Sequence, residues 1–193
     1  MSAAITPRPI AWLTTVSPEG VRNAAPYSFF NMMGADPPLV AIGLMRRPDG
    51  TYKDSAHNLL STGEFVVNLV CEADAATMNF TCIDAPPAFD ELAAAQVATL
   101  PSAQVTPEPI ASAPVSMECR LLHSFEAGTT TIAIGQVLQF HISDDLVDPV
   151  RLHVDTLAMQ LVARMHGAGW YTRCTDLLQL SRPVYAEWNQ GAA

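Results

Sequence analysis

Lysine occurs once in this sequence, cysteine forms no metal-like pair, and no apolar run reaches the length of a membrane span; each shortage excludes a class of function. Nine of the ten basic residues are arginines and the tenth is Lys53, against 19 acidic residues, for a formal net charge of −9. Such a chain repels phosphate backbones and anionic membranes on average, so nucleic acid is not expected. Cys71, Cys82, Cys119 and Cys174 lack CxxC or other ligand spacing, and no basic, apolar leader lies between Met1 and Ile5. They read as reduced thiols in a cytoplasmic protein. His57, His123, His153 and His166 add no metal-like spacing, so no metal is expected. The longest apolar runs, such as Phe65 to Val70 with Asn68 inside, fall far short of the roughly 20 residues a membrane helix needs. Gly-x-Gly-x-x-Gly and Gly-x-Ser-x-Gly are both missing, against a Rossmann nucleotide domain and a serine-hydrolase elbow. Glu118, Glu126, Asp144 and Asp145 are better explained by strand edges and turns than by paired acid/base carboxylates.

What is present is an apolar chain of 193 residues, 49% hydrophobic and 15% charged, the size of one domain spanning 1–193. Pro9 to Val16 reads as a strand, and Ser17-Pro18-Glu19-Gly20 as a turn returning through Val21 to Ala25. Leu39 to Met45 and Glu64 to Val70 are further short strands. Thr51, three residues before Asp54, predicts a capped helix over Thr51 to Leu60. Glu72 to Phe80 and Pro87 to Ala95 have helix propensity and are expected on the outside. Four prolines between Pro101 and Pro114 predict a rigid extended crossing. Val115 to Glu126 and Thr129 to Ser143 then form a long hairpin about Ala127-Gly128. Apolar spacing at Leu157, Leu161 and Val162 predicts a helix over Asp155 to Met165, and a mobile tail is expected after Trp188. The fold class is mainly β with peripheral helices, an antiparallel barrel.

Two stretches carry candidate chemistry. Arg46-Arg47-Pro48-Asp49-Gly50-Thr51-Tyr52-Lys53-Asp54-Ser55 places cations and hydroxyls beside a helix start, where free N–H groups and the helix dipole suit a phosphate monoester; a solvated loop reads equally well. Ala25-Pro26-Tyr27-Ser28-Phe29-Phe30-Asn31 offers flat apolar faces with a hydroxyl and an amide, either as the wall of a planar-ring pocket or as core aromatics with a capping serine.

Pro7-Arg8-Pro9-Ile10-Ala11-Trp12-Leu13-Thr14-Thr15-Val16-Ser17, Asn23 to Asn31, Lys53-Asp54-Ser55 with Asn58, and Thr62 to Asn68 stand in the order and spacing of the flavin-reductase-like, FMN-binding split-barrel family. Met78-Asn79 before Pro86-Pro87, Gly135 to His141, and Trp170-Tyr171-Thr172-Arg173 with Asp176-Leu177 continue the resemblance over most of the chain.

The resemblance implies an antiparallel split β-barrel, a homodimer with FMN at its interface, and the Lys53-Asp54-Ser55 loop on the phosphate. It also implies that Trp12, Thr14, Thr15, Tyr27, Ser28, Phe29 and Asn31 border the flavin ring, with Tyr171 and Arg173 approaching from a C-terminal segment. Arg46 and Arg47 flank the phosphate loop, which Pro48-Asp49-Gly50 make longer than the family's usual version. Fewer residues precede Pro7 than is usual in the family. His141 resembles a family histidine on the nicotinamide side, as an orienting group; a structural strand histidine is the other reading. The expected activity is hydride transfer from NADH or NADPH to flavin and on to free flavin, a partner oxygenase or a small acceptor. A non-catalytic FMN-binding electron carrier is the alternative, and a flavin-free binding module a third.

Overall fold

The computed structural model describes residues 1–167 and 169–185. The expected tail after Trp188 lies outside these residues. Seven antiparallel strands form one sheet in the order β2 (Arg22–Tyr27), β1 (Ala11–Val16), β5 (Glu64–Leu69), β6 (Val115–Ala127), β7 (Thr130–Ile142), β4 (Pro38–Met45) and β3 (Phe30–Ala35). The outermost strands β2 and β3 are consecutive in the chain, with only Ser28 and Phe29 between them. Two residues reach roughly 7 Å when extended, whereas the edges of a flat seven-stranded sheet stand about 29 Å apart at the usual strand spacing. The sheet therefore curls until its edges meet at Ser28–Phe29. Register shifts between β6 and β7, at Glu118/Cys119 where β7 carries the extra residue and at Leu121/His123 where β6 does, help it bend.

Alternation along β1 divides the core. Ala11 and Leu13 face the barrel interior with Ile42, Leu59, Phe65, Val67 and Cys119. Ile10 and Trp12 face outward and are covered by Met78 of α2 (Ala75–Phe80), Leu92 of α3 (Glu91–Ala94) and Ile110 of the proline-rich crossing. Both α2 and α3 thus pack outside the barrel, as expected, while α1 (Asp54–Thr62) contributes Ala56 and Leu59 to the interior cluster.

Several expectations need correction. No helix forms over Asp155 to Met165: the Asp155 side chain accepts the N–H groups of Leu157 and Ala158 in a turn. Val162 then donates to the Val70 carbonyl, and Arg8 and Arg164 exchange backbone bonds, so Val162–Arg164 becomes β8, paired with β9 (Tyr171–Arg173). Long-range pairing outweighs local helical spacing. The helix at Pro87 to Ala95 shrinks to Glu91–Ala94, opened by Asp90 as N-cap. The Glu72 to Phe80 helix opens with a 3₁₀ turn, Glu72–Asp74. Thr51 caps nothing: its hydroxyl donates to Asp49, and α1 starts only after Lys53. β3 was not anticipated from the sequence.

Candidate functional site

At the seam where the barrel closes, three adjoining cavities share Pro26 and Tyr27 as a common wall. They measure about 200, 310 and 250 Å³, each at or below the low end of small-molecule sites, so a ligand of any size would use them as one groove. One end holds Arg47, Lys53, Asp54 and Ser55. A second cavity is lined by Ser28, Phe29, Gly43 and Met45 together with Lys53, and a third by Arg8, Arg164 and Tyr171.

The cationic end is organised by α1. Lys53 is its N-cap, with extended backbone and no side-chain cap bond. His57 is the first to donate inside the helix, to the Lys53 carbonyl. The amides of Asp54, Ser55 and Ala56 find no acceptor among the described residues, leaving the helix's positive pole bare. Lys53 is exposed and forms no ion pair among the described residues, whereas Arg47 is held by Asp54 at 3.2 Å and donates to the Tyr52 carbonyl.

Behind this end lies a buried polar chain. The Glu91 carboxylate accepts from Asn23 Nδ2 at 3.0 Å and from the Ala24 N–H at 3.2 Å. Asn23 Oδ1 accepts from the Ser55 hydroxyl at 2.7 Å and the Thr15 hydroxyl at 3.2 Å, and Thr15 accepts from Asn58 at 3.2 Å. Burial pushes the Glu91 carboxyl up despite these donors. Burial likewise pushes the Tyr27 phenol up to about 12, with Ser55 and Arg47 opposing and Asp54 and Glu91 reinforcing. Tyr27 is therefore a neutral hydroxyl at physiological pH.

Of the residues expected from the sequence, Tyr27, Ser28, Phe29, Arg47, Lys53, Asp54, Ser55 and Tyr171 are brought together around the groove. Trp12, Thr14 and Thr15 are not in it: β1 is flanked on both sides, and their buried side chains bond to Thr81, the Glu108 carbonyl and Asn23. They support β2 from behind. Asn31 lies exposed on β3 and caps its neighbour's N–H. Arg46 turns to Glu126 and Tyr52, and Arg173 pairs with Glu72. His141 lines a different cavity, with Ile110 and Ser116, and its Nε2 lies 2.6 Å from Glu118.

Other residues of the groove were not singled out from sequence: Arg8, Asn23, Thr81, Cys82, Glu91 and Arg164. Arg8 and Asn23 sit inside the family-like motifs, which was their only signal. Among the described residues no group of three His, Cys, Asp or Glu could hold a metal, and no helix is long and apolar enough to cross a membrane.

A closed antiparallel barrel with a cationic, aromatic groove at its seam defines a split-barrel protein. The flavin reductase like domain matches residues 1–159. The chain is 44% identical over 195 residues to an uncharacterized protein of Deinococcus radiodurans, covering 98% of this chain and 86% of that one. Nitrilotriacetate monooxygenase component B from Bacillus cereus is similar in structure with a TM-score of 0.88 at 30% identity, covering 93% of this chain and 90% of its own. The 2-nitrobenzoate 2-nitroreductase NbaA of Pseudomonas fluorescens gives 0.85 at 32%, covering 95% and 89%. The chain belongs to the flavin reductase like family, and its fold is the split barrel of that family.

Proposed function

We propose that the whole chain is one flavin-reductase-like domain acting in the cytoplasm as an FMN-dependent oxidoreductase, which takes hydride from NADH or NADPH and delivers electrons to free flavin, a partner oxygenase or a small organic acceptor. The observation that carries this is the seam groove, with a bare helix N-terminus and a Lys53 that forms no ion pair among the described residues, beside flat Pro26, Tyr27 and Phe29 surfaces. The donor set fits a phosphate monoester: amides of α1, the Lys53 ammonium, and Arg47 where Asp54 shares it. Bound FMN would supply the hydride-accepting ring.

The chain's own contribution is binding and electric field. Lys53 and the α1 amides anchor the phosphate; Pro26, Tyr27 and Phe29 offer planar contact; Tyr27, held neutral, adds no charge against a reduced ring. With no Rossmann fingerprint, a nicotinamide would stack transiently and leave. His141, fastened to Glu118 in a separate cavity, is assigned to structure.

Exposed Met32, Met33, Leu122, Phe125 and Phe140 on β3, β6 and β7 favour a homodimer. The likeness to a monooxygenase component and to a nitroreductase supports an oxygenase partner or a small organic acceptor.

The test is the visible spectrum of the protein after FMN loading and removal of excess, repeated anaerobically with NADH. Retained flavin that bleaches rapidly supports the proposal. Retained flavin that NADH leaves oxidised assigns an electron carrier, and neither retention nor turnover of free FMN overturns flavin function.

A further inference from the structure

In a chain of net charge −9, two arginines face one cavity to which no described residue brings a carboxylate. Arg8 is 8% exposed, and among the described residues its guanidinium is bonded only to neutral oxygens: Nε to the Ser28 hydroxyl at 3.3 Å, Nη1 to the carbonyls of Ser2 and Ile5. No hydrogen bond among the described residues uses its Nη2. Arg164, half-buried, lies over the Tyr171 ring at 4.7 Å and forms no ion pair among the described residues. The two are held side by side by the reciprocal backbone bonds between Arg8 and Arg164 that attach β8 to the barrel.

A buried guanidinium without a counter-ion is electrostatically expensive, and proteins ordinarily pair it. Eight of the ten basic residues lie outside this cavity, and those in ion pairs meet carboxylates: Arg22 meets Asp90, Arg46 Glu126, Arg47 Asp54, Arg120 Glu64 and Arg173 Glu72. Cys82 lines both this cavity and the Lys53 cavity; burial pushes its thiol up, and Arg164 and Lys53 oppose that shift from either side. The other walls are mostly apolar or aromatic, Ile10, Pro26, Tyr27, Phe29, Met78 and Tyr171, with Ser2, Ser28 and Gly167 between them. The volume of about 250 Å³ is below the roughly 300 Å³ of the smallest usual sites, which suits a single-ring molecule and not a dinucleotide.

We infer that the Arg8–Arg164 cavity is an anion subsite that binds the carboxylate of a small aromatic acid, with its ring against Tyr171 and Phe29, beside the proposed flavin position. Arginine forks match a carboxylate in two parallel bonds, and a ring seated there would stand next to the Pro26–Tyr27 wall shared with the Lys53 cavity. This names the acceptor class of the proposed function and rests on that reading for the role of the neighbouring cavity.

The experiment uses the full chain loaded with FMN and titrated calorimetrically with benzoate, and with benzamide as its neutral counterpart, while flavin retention is read separately by absorbance. Benzoate is expected to bind saturably and at least about tenfold more tightly than benzamide, the scale of one charge-assisted contact. Arg164→Gln is expected to weaken benzoate by about tenfold or more, with Arg164→Lys recovering part of the loss. Arg164 is the informative position because Arg8 also ties down Ser2 and Ile5, and its loss would disturb folding. Equal binding of the two probes, no benzoate binding, an Arg164→Gln variant of unchanged benzoate affinity, one that loses FMN and benzoate together, or displacement of FMN by benzoate would overturn the subsite. Benzoate binding by protein that retains no FMN would leave the subsite standing and the flavin proposal refuted.

Discussion

His141 Nε2 stands 2.6 Å from Oε1 of Glu118, a carboxylate with no exposed surface. The same carboxylate accepts the backbone N–H groups of Ala103 at 2.8 Å, Gln104 at 2.6 Å and Val105 at 3.2 Å. A strand residue thereby clamps the proline-rich crossing to the barrel. His141 completes the clamp from β7.

Burial alone would raise the Glu118 carboxyl, but the Ala103 N–H, the His141 ring and the Gln104 N–H outweigh it and the net shift is downward from 4.5. A depressed carboxylate adds stability that is present above the unfolded value and is lost as the pH falls through the folded one. Glu118→Gln is therefore expected to destabilise the protein at neutral pH by about 2–3 kcal/mol and to lessen its loss of stability in acid. Urea denaturation at pH 7 and pH 4 measures both. His141→Asn should leave the rate of NADH oxidation by flavin-loaded protein unchanged; a large fall in kcat would restore a catalytic histidine.

The Phe65 ring occupies the space a side chain at position 135 would need. A Cβ on Gly135 would lie 2.3 Å from Phe65 Cζ and 2.9 Å from Cε1, and the ring is fully buried. Gly135→Ala should cost about 1–3 kcal/mol by overpacking. Combined with Phe65→Leu, the pair should lose less than the sum of the two single variants. Thermal or urea unfolding of all four proteins gives the coupling, and strict additivity would show that the two sites do not compete for space.

Removal of the ammonium at Lys53 should weaken FMN binding by about 1.5–3 kcal/mol, the worth of a charge-assisted hydrogen bond. Fluorescence titration of FMN with the Lys53→Ala variant measures it. Riboflavin, which lacks the phosphate, should bind the variant and the unmodified protein alike. Unchanged FMN affinity would remove the phosphate from this end of the groove.

Tyr27 ionises at about 12 in the folded chain, against an ordinary 10.0, because of burial. A raised pKa favours folding below the unfolded value and withdraws that support as the pH rises through the folded one. Tyr27→Phe should leave stability near neutrality little changed and shift the alkaline unfolding midpoint upward. The phenolate absorbance of folded wild type and variant should coincide until well above pH 10.0; early divergence would mean Tyr27 is open to solvent.

Most of the barrel was legible in the sequence because its strands are local signals. The run Ala11 to Val16, the turn at Ser17 to Gly20, and the long hairpin about Ala127-Gly128 each combine apolar or β-branched residues with turn chemistry. The phosphate-loop candidate was visible through the solitary lysine beside a helix start. β3 was not legible: Phe30–Ala35 is largely exposed and forms a strand because it continues from the closing edge and pairs with β4. The Asp155 to Met165 spacing looked helical, yet Val70 and Arg8 offered backbone partners that no local pattern reveals.

The sequence by itself determined the strand-forming segments, the breaks between them, and the residue types suited to a phosphate and a planar ring. Only the tertiary structure decided which of those residues meet. Closure of the sheet at Ser28–Phe29 joins Tyr27, Lys53 and Tyr171 in one groove and sets Arg8 beside Arg164, while the same curvature sends His141 to another cavity and buries Trp12, Thr14 and Thr15. Side-chain chemistry is a property of each residue, but adjacency across a barrel depends on which edges pair, and that pairing is settled by long-range hydrogen bonds and core packing.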